Sequence, residues 1–116
     1  MATKSGWTVE YVSKAVEKEM LIQHKSIKVD FLRIKHTIET EGLDAVSHKL
    51  KEKIGKNLWE MRLTGEKVIA RALYLRKIGS RVIIVCVFKK DTPKIEHRYI
   101  QLALKRAKEF ENAQTR

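Results

Sequence analysis

Arg81-Val82-Ile83-Ile84-Val85-Cys86-Val87-Phe88-Lys89-Lys90-Asp91 is the stretch on which the fold turns. Val82 to Phe88 are seven consecutive apolar residues, and they stop at two lysines. Such a run predicts a strand apolar on both faces, lying inside a sheet. Working back along the chain, Ile78-Gly79-Ser80 reads as a turn and Val68 to Leu75 as a strand. Thr64-Gly65-Glu66-Lys67 is a second turn. Before it, Leu58 to Leu63 alternates, with Trp59, Met61 and Leu63 on one face and Glu60 and Arg62 on the other. Three strands in succession predict an antiparallel meander. Working forward, Pro93 breaks the chain and Glu96 to Phe110 is helical. Ile100, Leu104, Ala107 and Ala103 share one face of that helix, and Asn112 to Arg116 is expected to fray.

The front of the chain has its own pattern. Trp7, Val9 and Tyr11 alternate with Thr8 and Glu10, which predicts a half-buried strand. Ser13 is an N-cap candidate for a helix carrying Val12, Ala15, Val16 and Met20. Ser26 is a second cap candidate. Ile27, Phe31, Ile34 and Ile38 follow it at helical spacing, and Gly42 is the terminator. Between Asp44 and Lys53 the period is ambiguous; Leu43, Val46 and Leu50 suit a short helix. The order is N-terminal strand, two helices, three-stranded meander, C-terminal helix. That is an α+β fold, and its length predicts a single domain over residues 1–116.

The chain has 116 residues and a formal net charge of +11. The excess is segregated. Met1 to His48 carries seven basic and seven acidic side chains, whereas Lys49 to Arg116 carries eighteen and seven. A one-sided cationic field attracts polyanions, nucleic acid first among them. Cys86 is the one cysteine, which excludes an internal disulfide and any cysteine-based zinc site. Met1-Ala2-Thr3-Lys4 leads into no apolar signal segment, and no run approaches the ~20 apolar residues of a membrane span. A cytoplasmic location is expected, without membrane partners.

There is no glycine-rich phosphate loop. His24, His36, His48 and His97 are scattered, and no metal or other cofactor is implied. What remains is a set of cations. Arg71 sits among apolar residues in Val68 to Tyr74, so it must find water, a carboxylate or a ligand. A Glu60–Arg71 or Glu60–Arg62 ion pair would satisfy the pattern with no function at all. Lys89 and Lys90 at a strand end are ordinary solvated punctuation when taken alone. Together, Arg62, Arg71, Lys89, Lys90, His97 and Tyr99 make a candidate catalytic set for RNA cleavage through its own 2′-hydroxyl. That reaction needs a base, an acid and cations for the developing phosphorane charge. Lys49, Lys51, Lys53, Lys56, Lys94 and Arg98 are candidate RNA-backbone contacts. A plain RNA-binding module would use the same inventory.

Several segments also carry a resemblance. Asn57-Leu58-Trp59-Glu60-Met61-Arg62, Ala70-Arg71-Ala72-Leu73-Tyr74, Phe88-Lys89-Lys90 with Pro93-Lys94, and Gln101-Leu102-Ala103 resemble the RelE/HigB superfamily of toxin–antitoxin toxins. The phage-Gp49-like branch is the nearest match. Val9-Glu10-Tyr11, Phe31-Leu32-Arg33-Ile34 and Glu41-Gly42-Leu43 fit as well, so the likeness spans nearly the whole chain. It implies helices packed on a twisted antiparallel sheet. It also implies a toxin that cleaves mRNA on the translating ribosome without metal, inhibits translation, and is neutralised by an antitoxin, often a helix-turn-helix protein. Arg62, Arg71, Lys89 and Lys90 fall on matching positions; Arg71 takes the place of a phosphate-stabilising strand arginine. Tyr99 is the counterpart of a tyrosine near the last helix, with His97 competing for that place. Asp91 departs from the pattern by setting an acid beside the basic stretch. The superfamily also contains ParE-like members that poison gyrase and cleave nothing, which keeps a second toxin class open.

Overall fold

The computed structural model describes residues 4–54, 57–77 and 79–114. Strand β1 (Thr8–Tyr11) leads to α1 (Lys14–Leu21) and α2 (Lys25–Glu41). A 3₁₀ segment (Leu43–Lys49) then runs into β2 (Leu50–Ile54), β3 (Leu58–Thr64), β4 (Ile69–Lys77), β5 (Arg81–Lys89) and α3 (His97–Gln114). The five strands form one sheet in the order β1-β5-β4-β3-β2. Strands β2 to β5 pair antiparallel, and β1 joins β5 in parallel. The architecture is the expected α+β, RelE-like arrangement, and the apolar run of β5 lies inside the sheet as predicted.

Each face of the sheet buries a separate cluster. On one side α1 and α2 lay Val16, Met20, Ile27, Phe31, Ile34 and Ile38 over Met61, Leu63, Ala72, Tyr74 and Ile84. On the other, α3 covers Leu58, Leu73, Leu75, Ile83, Val85, Cys86 and Phe88. Beyond Ile84 there is no β1 to pair with β5. That edge is completed by side chains: Glu19 accepts from the Val87 amide at 3.0 Å, and Arg106 donates to the Val85 carbonyl at 2.9 Å. Arg106 and Glu19 also pair with each other at 2.8 Å, which ties α3 to α1 across the sheet edge.

Several sequence expectations are corrected. The segment after the 3₁₀ turn is not helical. Leu50 takes an extended backbone, and β2 pairs along β3, whose open edge offers unmet N–H and C=O groups. The cap of α2 is His24, whose Nδ1 accepts from the Ser26 amide. The Ser26 hydroxyl instead accepts from the Glu66 amide at 2.8 Å, so it serves the β3–β4 turn. Ala15 is exposed. Leu104 is 41% exposed, because the seat on the sheet takes Tyr99, Ile100, Ala103, Ala107 and Phe110. That stripe is centred on the small Ala103, and Leu104 lies about 100° around from it. Asn112 to Gln114 continue the helix. Strand β4 is also buried on both faces from Ala70 to Leu75. Of the proposed turn Ile78-Gly79-Ser80, Ile78 lies outside the described residues.

Cys86 is sealed in the α3-side cluster. Burial, reinforced by the nearby Glu19, pushes its thiol up to about 12. The expected result is that a thiol reagent at pH 8 labels the native protein no faster than it unfolds, whereas the denatured chain labels at once. Stoichiometric labelling of folded protein within the mixing time would contradict this burial.

Candidate nucleic-acid interface

Strand pairing decides which cations meet. Arg62 on β3 is the direct cross-strand partner of Arg71 on β4, and Arg71 is the partner of Phe88 on β5. The three therefore form one row across the sheet. One row along, Lys51 on β2 lies opposite Glu60. Alternation puts Glu60 and Arg62 on the face that carries Leu58, the α3 face. Phe88 belongs to that face because of a bulge. The β4–β5 register shifts between Leu73 and Tyr74, leaving Val85 without a cross-strand partner. Val85 and Cys86 then both lie in the α3-side cluster, and Phe88 follows.

Arg71 is 8% exposed and Glu60 5% exposed. The Arg71 Nε donates to Glu60 Oε2 at 3.0 Å, and its Nη1 donates to the Ala70 carbonyl at 2.9 Å. Of the two ion pairs the sequence allowed, the structure forms Glu60–Arg71. Arg62 and Lys51 are exposed and carry no hydrogen bond or ion pair among the described residues. Both are open to an incoming anion.

At the end of β5 the chain turns along a shallow cleft lined by Phe88, Lys89, Lys90, Thr92, Lys94 and Tyr99, among others. The Tyr99 ring stacks on Phe88 with centroids 4.1 Å apart and planes 5° from parallel. The Arg98 guanidinium covers the Tyr99 ring at 4.6 Å and donates to its hydroxyl at 3.0 Å. Glu96 in turn holds Arg98 at 2.8 Å. Tyr99 is thus enclosed between an aromatic ring and a guanidinium, and a base can stack there only if Arg98 moves aside. Lys89 lies 3.6 Å from Asp91.

The structure gathers most of the sequence-derived site residues and leaves others aside. Arg62, Arg71, Lys51, Lys89, Lys90, Lys94, Arg98 and Tyr99 lie on or beside the row that ends at Phe88. Lys49 is turned toward α2, where it pairs with Asp30 at 3.1 Å. His97 opens α3 and is exposed, with no hydrogen bond among the described residues. Lys53 has its backbone in β2 and its side chain outside the described set; Lys56 lies outside the described residues altogether. Sequence reasoning missed Phe88 as the support of Tyr99, because nothing in an unbroken apolar run marks which face each residue takes. Among the described residues no three His, Cys, Asp or Glu side chains come together as a metal site. No described helix is long and apolar enough to cross a membrane.

Comparison with protein-family models places residues 18–108 in the phage-derived Gp49-like family (DUF891). The chain belongs to that family. The match covers most of the chain, including every strand from β2 to β5 and the core of α3. The Gp49-like family is a RelE/HigB-like toxin family, which identifies the chain as a toxin–antitoxin toxin and implies an antitoxin as its partner. A search of curated proteins returned no match.

Proposed function

We propose that this Gp49-like protein is the toxin of a type II toxin–antitoxin pair that cleaves mRNA on the ribosome and so inhibits translation in the cytoplasm. The observation that carries the reading is the row Arg62–Arg71–Phe88, with Lys51 beside it and the Tyr99 stack at its end. Cleavage by the 2′-hydroxyl builds negative charge on the phosphate. Arg62, exposed and with no ion pair among the described residues, offers a planar fork to that charge. Lys51, Lys90 and Lys94 supply backbone contacts along the strand ends. Positive charge for the transition state is then provided by the chain itself.

The test is a pulse of expression in growing bacteria, with primer extension on an abundant mRNA and a plasmid topology gel. New 5′ ends inside translated codons, lost when initiation is blocked, are expected. Intact mRNA with altered supercoiling would move the protein to the gyrase-directed class. Intact mRNA, unchanged topology and normal growth would leave an RNA-binding module.

Two corollaries follow from the ion pairs at the site. Asp91 and Glu96 occupy Lys89 and Arg98, and both pairs are largely exposed. Exposed pairs are held weakly against solvent, so a phosphate can displace each carboxylate readily. Asp91→Asn with Glu96→Gln is therefore expected to tighten RNA binding by roughly threefold to tenfold in filter binding at 0.1 M salt. Unchanged or weaker binding would remove the carboxylates as competitors. An antitoxin, expected to be a helix-turn-helix protein, should cover this basic face. Free toxin should then bind ribosomes more tightly than the complex does, and equal binding would argue against occlusion.

A further inference from the structure

We propose that Glu60 takes the 2′-hydroxyl proton in RNA cleavage, and that Arg71 is a positioning residue acting through it. The inference rests on the nuclease reading above. Glu60 stands on the α3 face of the sheet, opposite Lys51 and two residues from Arg62, two cations with no ion pair among the described residues. Its neighbours on that face, Leu58 and Leu73, are apolar members of the α3-side cluster. A leucine at position 60 would extend that cluster. Buried ion pairs are often replaceable by apolar residues without loss of stability, so packing alone does not call for Glu60 and Arg71 here.

The hydrogen bonding is one-sided. Glu60 Oε2 accepts from Arg71 Nε at 3.0 Å. Oε1 accepts no hydrogen bond among the described residues, yet it is not sealed off. The one sealed and unpartnered side-chain polar atom among those residues is the Tyr74 hydroxyl. Among the described residues Oε1 is therefore the free oxygen of the carboxylate, beside Lys51 and Arg62. Arg71 is also fixed through Nη1 by the Ala70 carbonyl, so it holds the carboxylate in one orientation. A phosphate drawn to Arg62 and Lys51 would bring its adjoining 2′-hydroxyl over Oε1.

The step balances without a redox partner. The 2′-O–H bond breaks and its proton passes to Oε1. The 2′-oxygen bonds to phosphorus, the P–O5′ bond breaks, and the leaving 5′-oxygen takes a proton from water. Glu60 returns its proton to solvent. The products are a 2′,3′-cyclic phosphate and a 5′-hydroxyl.

The test is single-turnover cleavage of mRNA on programmed ribosomes across a pH series, with ribosome binding and thermal melts on the same preparations. Glu60→Gln keeps the shape and can still accept from Arg71. It is expected to fold and to bind ribosomes within threefold of the native protein, but to cleave at least ~100-fold more slowly. The native rate should rise with pH along an acid limb that this variant lacks. Glu60→Asp, with the carboxylate drawn back by one methylene, should recover part of the rate and the acid limb. Arg71→Lys should slow cleavage while leaving ribosome binding unchanged. Glu60→Gln cleaving within threefold of native, with the same pH profile, would overturn the inference and leave the nuclease reading standing. If Glu60→Gln fails to fold, a Glu60→Asp protein with native rate and profile would overturn it equally. Absence of cleavage by the native protein would overturn both.

Discussion

Arg71→Ala is expected to lose about 3–5 kcal/mol of folding stability, the usual cost of leaving one member of a buried ion pair uncompensated. Glu60 and Arg71 are 5% and 8% exposed, and no other described group bonds the Glu60 carboxylate. Removing the guanidinium leaves a carboxylate that water reaches at one oxygen only. Replacing both residues, Arg71→Met with Glu60→Leu, should recover most of the loss, because the pair is then exchanged for apolar contact with Leu58 and Leu73. Urea titrations of the native protein and the two variants measure both effects. A loss below ~1 kcal/mol in Arg71→Ala would show that Glu60 hydrates freely without its partner. The prediction also bears on toxicity assays. An inactive Arg71→Ala protein does not by itself assign chemistry to Arg71, because a less stable fold lowers the amount of protein present.

Arg62→Ala should behave in the opposite way. Arg62 is exposed and has no partner among the described residues, so its stability change is expected to stay within about 0.5 kcal/mol. Its cleavage rate should fall roughly 100- to 1,000-fold, the range for losing one preorganised donor to a developing oxyanion. Arg62→Lys should recover only part of the rate, because an ammonium cannot bind the phosphate in a planar fork. Single-turnover cleavage on programmed ribosomes, set beside a thermal melt, separates the two readouts. A stable Arg62→Ala protein that cleaves within threefold of native would take Arg62 out of the phosphate site. The two adjacent arginines therefore carry different expectations: one is tested chiefly by stability, the other by rate.

The site was half legible in the residues. Arg71 stood out because a guanidinium among apolar neighbours needs a partner, and the structure supplies Glu60. Arg62, Lys89, Lys90 and Tyr99 stood out through charge at strand ends and through the family likeness. Lys49 looked equivalent to Lys51 in the sequence, yet one turns to Asp30 and the other faces Glu60. The difference arises because Lys49 closes the 3₁₀ segment while Lys51 stands in β2, so the alternation of the strand does not reach back to Lys49. A strand at a sheet edge is selected by the open hydrogen bonds of its neighbour, and those are not written in the segment itself.

The sequence by itself determined the α+β class, the inner position of Val82–Phe88, the amphipathic stripe of Ile27, Phe31, Ile34 and Ile38, and the segregated positive charge. These follow from local periodicity and composition, which need no partner to be read. Only the tertiary structure decided the rest. A strand that is apolar on both faces has no visible period, so the bulge at Val85 leaves no trace in it. Yet that bulge turns Phe88 to the face of Arg71 and Tyr99. Cross-strand register, which brings Arg62 opposite Arg71, is likewise a property of two strands together.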